Sequence, residues 1–203
     1  MNVIDSPDEF LRGDRVALRP VRPADIPLLV GWLNDEAVTY FMFTGQRPLT
    51  EAQVAEEIQR AVASPANAVF TVVERATGKS IGIAGLYDIH PTALKAEFRV
   101  LLGDKSCWNK GYGTEVTEIL TFYGFDRLNL NKVWLGVIAD SLAAHRAYVK
   151  AGFREEGRLR QELYRNSRYY DAIRMSVLRS EYYPDLHGAH ACRLRVAPFE
   201  GAR

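Results

Sequence analysis

The chain has 203 residues, with 26 basic against 25 acidic side chains and a formal net charge of +1. That length suits one domain with a well-filled core, and so even a charge balance creates no field to gather nucleic acid or an anionic membrane; neither is expected as a partner. The strongly apolar stretches, such as Val69–Val73 and Val100–Leu102, are strand-length and far below the roughly 20 residues needed to cross a bilayer.

The first strand is predicted over Val16–Arg19, ended by Pro20, which has no N–H for a ladder. Pro23-Ala24-Asp25 opens a helix whose inner side is Ile26, Leu29, Val30 and Leu33. A second helix is capped by Thr50, with Gln53 at the capping-box position and Leu49 stapled onto Val54; Val54, Ile58, Ala61 and Val62 form its apolar stripe. The period then changes to two. Val69–Glu74, a turn at Thr77-Gly78 and Ser80–Tyr87 read as an antiparallel pair, and Glu97–Leu102 as a further strand. Gly82 and Gly85 weaken a strand and mark places where a ligand or another backbone comes close.

A long helix follows from about Gly111 to Arg127, with Val116, Ile119, Leu120 and Tyr123 on one side. Then come a strand, Lys132–Ile138, and a helix from about Leu142 to Ala151 with Ser141 as its cap. Gly152 suits the left-handed position after that helix, and Phe153 packs back on its last turn. A hairpin, Arg154–Tyr164 and Arg168–Leu178 about Asn166-Ser167, completes the order. The pattern is a mixed α+β layer fold and not a βαβ repeat, in a single domain over residues 1–183 with a C-terminal arm or tail over 184–203.

Acids in the N-terminal MNVIDSPDEFL, where a secretory signal would carry basic and then apolar residues, predict a cytoplasmic chain. Cys107 and Cys192 are therefore read as thiols. His90, His145, His187 and His190 lack metal-ligand spacing, so no metal is expected.

The most informative stretch is Trp108-Asn109-Lys110-Gly111-Tyr112-Gly113-Thr114-Glu115. A polar loop ends in two glycines that open the long helix, so successive N–H groups can face one concavity, a ready site for a pyrophosphate. Side chains at Gly111 and Gly113 would hold phosphates off the amides. The pattern is neither a dinucleotide fingerprint, since position 116 is Val116, nor a Walker loop. It resembles the acyl-CoA loop of the GNAT superfamily of N-acetyltransferases, Gln/Arg-x-x-Gly-x-Gly/Ala, in the form that begins with tryptophan. A second family element stands at Tyr148-Val149-Lys150-Ala151-Gly152-Phe153, with KVWLGVI between the two. The run from Gly157 to Met175 is similar to the branch that contains ribosomal-protein N-terminal acetyltransferases and spermidine N-acetyltransferases. One departure is Ser141, where many members have asparagine.

The resemblance implies a GNAT-like acyl-CoA N-acyltransferase fold: a mixed central sheet flanked by helices, with a splayed central strand pair, here Glu97–Leu102 and Lys132–Ile138. It implies acetyl-CoA as cofactor, with contacts from Val100, Leu101 and Leu102 on the strand, from Trp108, Asn109, Lys110, Gly111, Tyr112, Gly113 and Thr114 in the loop, and from Ser141 and Lys150. It makes Tyr148 the general acid for the departing thiolate, because a phenol keeps its proton at neutral pH and can donate to sulfur. Glu97 is the candidate to recruit or deprotonate the amine. Glu115 complements its helix end and suits phosphate only if it points away. Cys107, without a partnered histidine nearby, is read as packing.

The acceptor is expected on the side built by the N-terminal helices and late hairpin, where Tyr40-Phe41-Met42-Phe43, Tyr164, Tyr169 and Tyr170 offer aromatic walls. Glu36, Glu51, Glu56 and Glu57 bias that side negative, as would suit a polyamine, though an amphipathic helix shows the same charges on its outer face. The leading expectation is acetyl transfer from acetyl-CoA to a primary amine of a small metabolite, a polyamine, an amino sugar or a similar compound. A protein α-amine acetyltransferase and a non-catalytic acyl-CoA-binding module are the alternatives. Apolar tail residues and the hairpin predict at least a homodimer.

Overall fold

The computed structural model describes residues 8–186, with side chains through 182. The tail from 187, with His187, His190 and Cys192, lies outside the described residues. So do the apolar tail positions behind the expected dimer.

Eight strands form one sheet. In chain order they are β1 (Leu11–Arg12), β2 (Val16–Pro20), β3 (Ala68–Glu74), β4 (Lys79–His90), β5 (Lys95–Leu102), β6 (Lys132–Ile138), β7 (Arg154–Arg165) and β8 (Arg168–Leu178). Their spatial order is β1-β2-β3-β4-β5-β6-β8-β7. Every neighbouring pair is antiparallel except β5 and β6. That parallel pair needs a crossover, which α4 (Tyr112–Asp126) supplies. With short 3-10 turns at Pro23–Asp25 and Lys105–Cys107, the helices α1 (Ile26–Leu33), α2 (Glu36–Thr39), α3 (Glu51–Ala63), α5 (Leu142–Lys150) and α6 (Arg179–Leu186) complete the described elements. The last of these runs across residue 183.

The sheet separates two apolar layers. Val116, Ile119, Leu120 and Tyr123 of α4 pack with Leu86, Ala96, Phe98, Val133, Leu135 and Met175, and Ala144 and Tyr148 of α5 join them. On the other face Ile26 and Leu29 of α1 meet Val54 and Ile58 of α3 over Ile83. Side chains alternate along a strand, so neighbours such as Leu135 and Trp134 serve opposite layers. The strand from Val16, the helix faces, the meander and the hairpin stand as the sequence predicts, although the short β1 precedes that strand and Pro20 is its last residue, paired with Phe70; Asn166 and Ser167 both have positive φ (49° and 61°), as a two-residue hairpin turn requires. Thr50 and Gln53 make the reciprocal cap of α3.

Several expectations change. Val62 is 48% exposed, beyond the stripe of α3. Ser141 precedes α5 but makes no side-chain cap. Gly82 and Gly85, by contrast, stand as expected where another backbone comes close: an added Cβ would lie 2.3 Å from the Leu101 carbonyl oxygen and 2.6 Å from that of Ala68. The entry to α1 is fixed by Asp25, which accepts both Arg19 guanidinium N–H groups (2.7 and 2.8 Å), the Arg22 N–H (2.9 Å) and the Thr71 hydroxyl (2.8 Å).

Candidate active site

The strands β5 and β6 share a register only at Lys95↔Lys132, Ala96↔Val133 and Glu97↔Trp134, and beyond Glu97 they part. Since the Gly103 N–H donates to the Ile81 carbonyl (3.0 Å), the alternation of an antiparallel ladder turns the Leu101 and Arg99 main chain toward β4. Val100 and Leu102 therefore present their N–H and C=O groups to the gap; Leu101 does not. The Trp108 indole N–H donates to the Leu102 carbonyl at 2.8 Å, tying the following loop to that edge.

Gly111 is left-handed, with φ +81°, and precedes α4. The first intrahelical donor is the Glu115 N–H, bonded to the Gly111 carbonyl at 3.2 Å, which leaves the N–H groups of Tyr112, Gly113 and Thr114 without intrahelical acceptors. Arg15 grips the back of the loop: its guanidinium donates to the carbonyls of Lys110 (2.6 Å) and Gly111 (3.3 Å) and to Glu115 Oε2 (2.8 Å). Glu115 also accepts the main-chain N–H groups of Arg15 and Val16 (2.8 and 3.1 Å), so it points away from the helix mouth. At Gly113 an added Cβ would meet only Leu102 Cδ1, at 3.6 Å, so packing alone does not require glycine there. Asn109 has φ +59° and, like Lys110, is exposed. Cys107 is buried, and burial pushes its thiol above the usual range, in keeping with packing.

Tyr148 and Glu97 come to the gap from opposite faces. The Tyr148 ring packs on Phe98 (6.0 Å between centroids) and Phe153 (6.2 Å), in the layer of α4 and α5. Burial pushes its hydroxyl up to about 12, so it holds its proton throughout the physiological range. Glu97 is the last residue of β5 paired with β6 and lies on the other face with Tyr87 and Trp134, its neighbours in register. Its carboxylate accepts from Arg99 at 2.6 Å, and the Arg99 guanidinium lies over the Tyr87 ring at 4.7 Å. Ser141 stands in the turn from β6 to α5, and Lys150 is exposed in the last turn of that helix.

On the Glu97 face, Arg174 lies 3.8 Å over the Trp134 ring. An added Cβ on Gly136 would meet Phe43 at 4.0 Å. Tyr40 and Phe41 stack edge-on with Tyr170, and the Tyr40 and Tyr170 hydroxyls are 3.1 Å apart. The expected aromatic wall is thus real for these residues. Tyr164 and Tyr169 stack on each other on the opposite face of the hairpin, because each is one residue from a position, Leu163 or Tyr170, that packs with Tyr40 and Phe41.

The acetyltransferase (GNAT) domain family model matches residues 15–154. The chain belongs to the GNAT acetyltransferases. A spermidine N(1)-acetyltransferase of Vibrio cholerae is 29% identical over 169 residues, 83% of this chain and 95% of that protein. The spermidine N(1)-acetyltransferase of Escherichia coli K12 is 33% identical over 105 residues, 52% of this chain and 56% of its relative. The crystal structure of the Vibrio cholerae spermidine N-acetyltransferase in complex with CoA and spermine matches with a TM-score of 0.76 at 27% identity, covering 83% of this chain and 98% of that one.

The residues present fit the acyl-CoA that a GNAT acetyltransferase uses. Unshared N–H groups at the mouth of α4 suit a pyrophosphate, and the main-chain groups of Val100 and Leu102 suit an amide-bearing arm. The sequence reading missed Arg15, Trp134 and Arg174. Arg15 lies about a hundred positions from the loop it holds, and only the alternation in KVWLGVI could have put Trp134 beside Glu97.

Proposed function

We propose that this GNAT acetyltransferase transfers acetyl from acetyl-CoA to a primary amine of a polyamine. The observation that carries the reading is the placing of Tyr148 and Glu97 on opposite faces of the sheet where β5 and β6 part. Acetyl-CoA supplies an activated acyl group on a thiol leaving group. The chain's part is to hold the two substrates together and manage two protons, and positioning alone accounts for much of the barrier. Glu97 attracts the alkylammonium and takes up its proton, which leaves a nucleophilic nitrogen. Tyr148 donates from the other face to the sulfur as the carbon–sulfur bond breaks, and the second proton, shed by the nitrogen as the amide forms, restores the phenol through solvent.

The similarity to spermidine acetyltransferases and the aliphatic-friendly aromatic wall of Tyr40, Phe41 and Tyr170 support a polyamine as acceptor. The test is release of free CoA from acetyl-CoA across polyamines, amino sugars, amino acids and N-terminal peptides. Spermidine or spermine is expected to give the highest kcat/KM. Turnover with peptides alone would replace the proposed acceptor with a protein α-amine.

A further inference from the structure

Arg165, the last residue of β7, is only 7% exposed and no carboxylate among the described residues pairs with it. An arginine cannot shed its charge in a protein, so something must solvate a buried guanidinium. Here four main-chain carbonyls accept from its two terminal amino groups, those of Thr39 (3.1 Å), Met42 (3.5 Å), Thr44 (2.7 Å) and Gly45 (3.3 Å), while Nε is buried without a hydrogen-bond partner. The Thr39 carbonyl ends α2 and also accepts the Met42 N–H at 2.9 Å. All four acceptors belong to one short segment, residues 39–45. That segment carries the aromatic run that faces the acceptor side.

We infer that Arg165 is a positioning residue for the acceptor: it folds the segment 39–45 against the hairpin and thereby sets Tyr40, Phe41 and Phe43 over the acceptor face. Tyr40 and Phe41 are held between this anchor and Tyr170. Phe43 is 55% exposed and reaches over Gly136, one side chain along the same face from Trp134, which is in register with Glu97. The arginine touches no substrate in this arrangement and acts through the loop. A second residue serves the same closure: Gly45 has φ +88°, and a Cβ there would lie 2.3 Å from Thr39 Oγ1. The sequence gives no hint of the pairing, since about 120 residues separate the partners and an arginine in a hairpin reads as solvated.

The inference deepens the acetyltransferase reading and rests on it for the identity of the acceptor, so its test has one arm that needs no turnover. In hydrogen exchange followed by mass spectrometry, Arg165→Met is expected to speed exchange over residues 40–47 while α4 and the sheet keep wild-type protection. Gly45→Ala, which loosens the loop from its other end, should do the same. In steady-state kinetics both variants should raise the KM for spermidine roughly 10- to 100-fold, the scale of a displacement of about 1 Å. The KM for acetyl-CoA should stay within about 2-fold, because the phosphate loop lies elsewhere. Arg165→Lys, with one cation but no planar fork, should recover part of the loss.

A purely structural role would change both KM values together, whatever the loss of thermal stability. That result, or unchanged exchange over 40–47, would overturn the inference. If the wild-type enzyme acetylates no polyamine, the acceptor proposed above is wrong, while exchange over 40–47 still decides whether Arg165 holds the loop.

Discussion

At the residue scale Tyr148 offers the cleanest separation of chemistry from packing. Its ring packs against Phe98 and Phe153, contacts that phenylalanine would keep, so Tyr148→Phe removes only the hydroxyl. The variant is expected to lose about 10²- to 10⁴-fold in kcat, the usual worth of a positioned acid, with the Kd for acetyl-CoA unchanged. Burial raises the wild-type hydroxyl to about 12, so the protonated form persists and no alkaline loss of rate from this group should appear below about pH 11. An unaltered kcat in the variant would remove Tyr148 from the reaction. This tyrosine was legible because it sits in a local motif, as did the loop glycines. Arg15, Arg165 and Trp134 were not, because each acts on a partner that only the folded sheet brings near; the turn at Asn166-Ser167 and the strand KVWLGVI place Arg165 and Trp134 in the fold without naming those partners.

At the element scale the turn into α4 assigns different duties to its two glycines. Gly111 occupies a left-handed conformation, and its added Cβ would also press on Arg15 Nη2 at 3.1 Å. Gly111→Ala should therefore cost about 1–2 kcal/mol of stability, measured by denaturant unfolding, and weaken CoA binding because the whole loop moves. Gly113 is helical and has room for a methyl group, so Gly113→Ala should fold with an equal or higher Tm. Any loss of CoA affinity in that variant then reports how closely the cofactor approaches the amide. A drop in Tm for Gly113→Ala alone would reverse these assignments. Longer elements were readable because burial imposes a period on them. The two-residue β1 and four-residue α2 are too short to show one, and Val62 broke the pattern because the last turn of α3 extends past the layer it packs on.

At the scale of the whole molecule, Asp25 ties the first helical layer to the sheet through Arg19 of β2, Thr71 of β3 and Ser80 of β4, whose hydroxyl donates to it at 3.1 Å. Burial would raise its pKa, but the Arg19 guanidinium, the Arg22 N–H and the Thr71 hydroxyl outweigh that and hold it at about 2, against an ordinary 3.8. A carboxylate depressed in the fold contributes stability that is complete above the unfolded value and is lost as pH falls through the folded one. The window is thus pH 4 down to 2, and the loss about 2 kcal/mol at 1.36 kcal/mol per unit. Both partners are nearly buried, with side chains 6% and 11% exposed, so solvent screens the pair little. Asp25→Asn leaves Arg19 buried without its counter-charge and should cost about 3–5 kcal/mol at neutral pH. Because the variant cannot titrate at this position, its deficit relative to wild type should narrow by about 2 kcal/mol between pH 4 and 2, as the wild-type carboxylate takes its proton. Urea unfolding of both proteins across that range measures the narrowing, and a deficit that stays constant with pH would mean that the depressed carboxylate is not what couples α1 to the sheet.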